Sequence, residues 1–161
     1  VPVILDRKYV DDDKENLQVS AAADLGVLFI DGFGDGIWLE NPMLPDEDVV
    51  STAFGILQAS RVRTSKTEYV SCPGCGRTLF DLQSTVGKIK AATKHLTGLK
   101  IGIMGCIVNG PGEMADADYG YVGAGKGKVS LYRRKECVEK NIPEEEAVEK
   151  LLALIKECEG K

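Results

Sequence analysis

The period of the apolar positions changes along this chain, and the changes divide it. Val1 to Leu5 form a short apolar run with Pro2 near its start, which predicts a strand. Residues 6–16 are polar and acidic, with Asp11, Asp12 and Asp13 in succession, and predict a solvated loop. Leu17 to Leu25 carry a weak helical pattern. Gly26-Val27-Leu28-Phe29-Ile30-Asp31 is short, apolar and bounded by turn residues, which predicts a buried strand. Ile37-Trp38-Leu39 predicts a second strand. Asp46, Glu47 and Asp48 suit the positive end of a helix, and Val50, Phe54 and Leu57 recur at helical spacing to about Ser60.

Arg61-Val62-Arg63 reads as a boundary. Thr67 to Ser71 predicts a strand ending at Cys72. Leu79, Leu82, Val86, Ile89, Ala92 and Leu96 then fall three and four apart, the apolar face of a long helix that Gly98 is placed to end. His95, the only histidine, lies in the last turn of that helix and is expected as a surface cap rather than a ligand. Leu99 to Met104 predicts a buried strand, and Tyr119–Gly123 and Lys128–Tyr132 predict two more. Pro143, with three glutamates after it, opens a last helix whose apolar face is Val148, Leu151, Leu152 and Ile155. Strands alternating with helices give an α/β class.

Two glycine patterns are weak imitations of nucleotide loops. Gly32 to Gly36 lacks the helix that a dinucleotide fingerprint opens directly after its glycines. Gly120 to Lys126 fits the first part of a phosphate loop, but Gly127 stands where Ser or Thr is needed, and no helix follows. Both are read as turns.

With 161 residues the chain can build one ordinary core, or one domain and part of another. A formal net charge of −5 argues against a nucleic-acid or anionic-membrane partner, since both need a basic face. No apolar run approaches the ~20 residues that cross a bilayer. The chain begins at Val1 without an initiator Met and is read as a fragment. Five cysteines cannot all pair within one chain, and Cys-x-x-Cys without a secretory signal points to metal or redox chemistry.

That chemistry concentrates in two turns, Cys72-Pro73-Gly74-Cys75 and Gly105-Cys106-Ile107-Val108-Asn109-Gly110-Pro111-Gly112-Glu113. The second holds too much glycine and proline for a helix or strand interior, and suits a tight loop whose backbone approaches something closely. Cys72, Cys75, Cys106 and Glu113 are four candidate ligands. They fit three devices: a structural zinc site with Cys137 as fourth ligand, a dithiol redox motif at Cys72 and Cys75, or an iron–sulfur cluster with three cysteines and an unusual fourth ligand. On the residues alone Glu113 is either that ligand or a solvated loop acid. Cys137 and Cys158 otherwise read as small or incidental thiols.

Ser71 to Leu82 and Met104 to Asp118 closely resemble the C-terminal cluster domain of the 4-hydroxy-3-methylbut-2-enyl diphosphate synthase family, iron–sulfur enzymes of the methylerythritol phosphate route to isoprenoids. The resemblance covers essentially the whole chain, weakening at residues 1–20 and in the last helix. It implies a sulfite/nitrite-reductase-like domain over 63–161, with a mixed sheet flanked by helices (α/β, or α+β). It implies a [4Fe–4S] cluster held by Cys72, Cys75, Cys106 and Glu113, with Asn109 near the substrate. The implied activity is that of an oxidoreductase: reductive ring opening of 2-C-methyl-D-erythritol 2,4-cyclodiphosphate with two electrons from ferredoxin or flavodoxin. It further implies a soluble protein of the bacterial cytoplasm, or of a plastid-type organelle in a eukaryote, and allows a homodimer. Residues 1–62 resemble the tail of a barrel-like insert that some members carry. Where the family's catalytic barrel has an arginine and a serine for the diphosphate, this chain has Trp38 and Glu40, and a glutamate repels a diphosphate. The catalytic barrel is therefore expected to be absent and the fragment inactive alone.

Overall fold

The structure is a computed structural model and describes residues 1–160. The chain divides into two compact units, Val1–Ser65 and the remainder from Lys66, against the expected boundary after residue 62.

The first unit runs β1 (Ile4–Lys8), α1 (Lys14–Ala21), a π-helical stretch (Ala22–Gly26), α2 (Val27–Ile30), β2 (Gly36–Glu40) and α3 (Asp46–Ala59). β1 and β2 pair in parallel, so the helical segment is the crossover of a βαβ unit, and α3 follows. The expected loop over 6–16 is shorter than predicted. Strand continues to Lys8, and Asp13 caps α1 by accepting from the Asn16 N–H at 3.0 Å.

The strand expected over 26–31 is helix instead. The signal that decides it is a stripe four residues apart: Leu17, Ala21, Leu25 and Phe29 are all buried, while Val27 and Ile30 are exposed. Four residues of α-helix turn about 40° past a full turn, so such a stripe drifts round the helix. The wider π segment between Ala21 and Val27 absorbs part of that drift and keeps the stripe inward. Against it pack Val49, Ile56 and Leu57 of α3. Ile4, Trp38, Val50 and Phe54 are left outside this core, around a hollow of about 530 Å³. Trp38 Nε1 donates to Glu40 Oε1 at 3.0 Å, and Lys8 stands 3.9 Å from the other Glu40 oxygen.

The second unit carries β3 (Glu68–Ser71), α4 (Leu82–Thr93), β4 (Lys100–Met104), α5 (Gly110–Glu113), β5 (Tyr119–Gly125), β6 (Lys128–Arg133), β7 (Glu136–Pro143) and α6 (Glu144–Glu159). Its sheet has the order β3-β4-β5-β6-β7. β3, β4 and β5 are parallel, and β6 and β7 continue antiparallel, which makes the sheet mixed as the resemblance implied. Gly120 to Gly127 is a strand and its hairpin turn, not a phosphate loop.

Alternation along the strands sorts side chains to two faces. Ile101, Ile103, Tyr119, Tyr121 and Leu131 meet Ile89 of α4 and Ala147, Leu151 and Ile155 of α6. Met104, Val122 and Tyr132 face the other way, where the β4–β5 crossover covers them with Met114 and Ala117.

Three details differ from the sequence expectation. α4 begins at Leu82 rather than near Leu79, because Asp81 caps it through the Ser84 N–H at 3.0 Å, and Leu79 is exposed. α4 ends at Thr93, so His95 is an exposed residue beyond the helix rather than in its last turn. β7 is a strand with no counterpart in the apolar pattern. It is a sheet edge, most of its side chains are solvated, and alternation is therefore absent from its sequence.

Candidate metal centre

β3 and β4 lie side by side in parallel, so their C-terminal ends deliver two loops to one end of the sheet. The first loop holds Cys72 and Cys75, the second Cys106, Asn109 and Glu113. All five line one small cavity of about 120 Å³, together with Arg77, Met104, Gly110 and the Pro73-Gly74 turn. Cys72 and Cys106 are half-buried; Cys75, Asn109 and Glu113 are exposed. A larger hollow of about 560 Å³, between residues 115–118 and 133–136, contains none of the predicted ligands. Volume alone therefore does not mark the site.

The loops are tied to each other. The Gly105 N–H donates to Cys72 Sγ at 3.2 Å. Thr78 and Cys75 bond reciprocally: the Cys75 N–H donates to Thr78 Oγ1 at 3.2 Å, and the Thr78 N–H to the Cys75 carbonyl at 2.9 Å. The cysteine turn is thus a closed unit, and Gly105 approaches it closely enough to bond a ligand sulfur.

The second loop is pressed onto the sheet by Met114. Gly102 and Gly120 are register partners on β4 and β5. A Cβ on Gly102 would lie 2.6 Å from Met114 Cβ, and one on Gly120 would lie 2.4 Å from Met114 Cε. Two side chains are missing from the sheet where one thioether must sit. Glu113 precedes that anchored methionine, and Asn109 starts the short α5. The Asn109 carboxamide makes no capping bond to α5.

The Cys106 thiol is acidified by its surroundings. The backbone N–H groups of Val108 and Asn109, and then the Arg77 guanidinium, hold its acidity above that of an ordinary cysteine. Backbone N–H groups aimed at sulfur are the usual setting of iron–sulfur ligands. Three soft thiols and one carboxylate suit iron better than calcium or magnesium. Among the described residues no three Cys, His, Asp or Glu side chains converge as ligands of one ion do. Their common feature is the cavity they surround, and the donor set fits a multi-iron group.

Cys137 does not join them. It lies on β7, packed against the Met104–Met114–Tyr132 cluster, with Sγ 3.7 Å from the Glu139 carbonyl. It is not the fourth ligand of a zinc site. Cys158, in the last turn of α6, packs against the core. His95 also lies outside the cavity. Sequence reasoning missed Arg77 and Thr78. Their signal was position: a cation and a hydroxyl two and three residues after Cys75.

Residues 68–157 match the GcpE protein C-terminal domain family. The chain belongs to that family. Relatives of this GcpE domain agree. The chain is 70% identical over 156 residues to a 4-hydroxy-3-methylbut-2-en-1-yl diphosphate synthase (flavodoxin) of Bacteroides fragilis, covering 96% of this chain and 25% of that protein. A protein of the same name from Parabacteroides distasonis is 67% identical over 159 residues, 98% of this chain and 26% of the relative. One from Chlorobaculum tepidum is 58% identical over 97% of this chain and 21% of the relative. The chain spans about a quarter of the length of these relatives. The similarity to these relatives reaches across both units of the chain, and the comparisons give no support to a zinc module or a thiol–disulfide oxidoreductase.

Proposed function

We propose that this chain is the electron-transferring, cluster-bearing part of a 4-hydroxy-3-methylbut-2-en-1-yl diphosphate synthase. The observation that carries the reading is the convergence of Cys72, Cys75, Cys106 and Glu113 on one cavity, from two loops separated by a whole helix. These four residues would hold a [4Fe–4S] cluster, three through thiolates and one through the Glu113 carboxylate. When bound, the cluster supplies electrons and, at the iron with the oxygen ligand, a coordination position that exchanges more readily than the thiolate positions.

The chain's own residues prepare that chemistry. Gly105 supplies an N–H to the Cys72 sulfur. Val108 and Asn109 supply theirs to Cys106, which favours its thiolate, the form that binds iron. Glu113 is exposed at the cavity, where solvent and substrate can reach its carboxylate. Asn109 is exposed beside it, its carboxamide uncommitted to α5, and can hold a substrate hydroxyl or phosphate oxygen. The substrate on this reading is 2-C-methyl-D-erythritol 2,4-cyclodiphosphate, opened with two electrons and loss of water.

Flavodoxin is the donor this reading favours over ferredoxin, in keeping with the relatives' names. A bacterial cytoplasmic setting follows the relatives' sources rather than the plastid alternative. No helix among the described residues is long and apolar enough to cross a membrane. Residues 1–62 would be the tail of a barrel-like insert. The parallel β1–β2 pair and the exposed Ile4, Trp38 and Val50 are what a βα unit leaves uncovered when it belongs to a larger sheet. Trp38 and Glu40 on β2 offer no site for a diphosphate. On this reading the chain is inactive without a catalytic barrel, and a homodimer remains compatible.

A chimera tests the whole reading. This chain would replace the matching quarter of the Bacteroides fragilis relative, and conversion of the cyclic diphosphate would be assayed with reduced flavodoxin. Activity that is abolished by Cys106→Ser is expected. A chimera that folds and loads iron yet turns over nothing would overturn the reading.

A further inference from the structure

Arg77 is the one cation on the wall of the ligand cavity. It follows Cys75 by two residues, in a turn whose backbone is fixed by the reciprocal Thr78–Cys75 bonds. It shares that cavity with Cys72 and Cys75 of its own loop and with Cys106 and Glu113 of the other, so its charge lies on the wall that all four candidate ligands surround.

Three thiolates and a carboxylate bring four negative charges to one small site, and each electron taken up there adds another. A fixed cation on the wall lowers the free energy of the more negative, reduced form relative to the oxidised one. A hydrogen bond to a ligand sulfur acts in the same direction, by withdrawing charge from it. Arginine does not deprotonate in proteins, so the effect persists across the working pH range. Arg77 is exposed, and solvent screening keeps the effect moderate.

We infer that Arg77 is a positioning residue for charge: its guanidinium, on the wall of the cavity that Cys75 and Cys106 also line, raises the reduction potential of the group held by Cys72, Cys75, Cys106 and Glu113. The inference rests on the cluster reading above, and the test separates the two. Iron and acid-labile sulfide are first counted in the anaerobically reconstituted chain. The wild type, Arg77→Gln and Arg77→Lys are then titrated with dithionite against redox mediators, followed by electron-resonance spectra. In Arg77→Gln the reduced-to-oxidised ratio at a fixed potential is expected to fall about tenfold, or about 59 mV for a one-electron couple. Arg77→Lys keeps the charge and is expected to stay within about threefold of wild type, less than half the Gln shift on a logarithmic scale.

A Gln variant that titrates with the wild type overturns the inference, as does a Lys variant that shifts as far as Gln. Loss of the cluster from both variants overturns it as well, and assigns Arg77 to assembly instead. A wild type that binds no iron and sulfide overturns the cluster reading itself.

Discussion

Thr78 Oγ1 occupies the space that a side chain on Gly105 would need: a Cβ built on Gly105 lies 2.2 Å from that oxygen. The contact joins the cysteine turn after β3 to the loop after β4, and it lets the Gly105 N–H reach Cys72 Sγ. Gly105→Ala is therefore expected to separate the two ligand loops. Overpacking of this kind costs about 1–3 kcal/mol. Urea denaturation should show that loss, and iron retention after reconstitution should fall with it. Gly105→Ala combined with Thr78→Ala should recover part of both, because the clashing oxygen is gone.

Met114 is the second anchor. It is buried, and its side chain fills the space left by Gly102 and Gly120. Met114→Ala should destabilise the domain by about 2–5 kcal/mol, the usual range for emptying a packed core site. It should also free the loop that carries Glu113. The check is a denaturation midpoint together with hydrogen exchange of residues 106–118, where faster exchange is expected.

Tyr121 makes a pH prediction. Its hydroxyl is buried without a hydrogen-bond partner among the described residues, and its ring meets Phe80 edge-on at 5.7 Å. Burial, with a smaller contribution from the Glu144 charge, pushes its pKa up to about 12. The folded state thus favours the neutral phenol. Its contribution to stability is complete below the unfolded value of about 10 and is lost as pH rises through about 12. Tyr121→Phe should flatten the stability profile between those limits. At neutral pH it should be neutral or stabilising by about 1 kcal/mol, since an unpaired buried hydroxyl is removed. Tyr9, Tyr119 and Tyr132 are shifted upward as well and keep part of the alkaline slope in both proteins; urea melts from pH 7 to 12 that give the same slope with and without the Tyr121 hydroxyl would show this to be wrong.

The thiols outside the cavity should be dispensable. Cys137→Ser and Cys158→Ser are expected to leave iron content unchanged, because neither residue lines the ligand cavity. Each can cost some stability through packing, and iron content separates that effect from ligation.

Much of the second unit was legible in the sequence, for a physical reason. β4, β5 and β6 pack against helices on one face and the crossover on the other, so their apolar runs are strong. The two cysteine-bearing turns stood out because cysteine, glycine and proline at fixed spacing have few structural uses, and the fold brings both turns to one cavity. Gly26 to Ile30 misled because a short apolar run fits a strand or a helix equally, and the deciding stripe of Leu17, Ala21, Leu25 and Phe29 has a period of four, longer than that of an α-helix, which the π turn accommodates. β7 was silent because an edge strand with solvated side chains has no alternation to read. Arg77 and Thr78 were passed over because their roles depend on the second loop, which only the fold brings within reach.

The central claim is that Cys72, Cys75, Cys106 and Glu113 hold one iron–sulfur cluster. It is tested most directly by iron and acid-labile sulfide per chain after anaerobic reconstitution, with Glu113→Ala beside the wild type and an electron-resonance spectrum of each reduced sample. The account predicts about four of each per wild-type chain, and a spectrum that the substitution changes. Tight zinc with no sulfide, or a spectrum indifferent to Glu113, would contradict it.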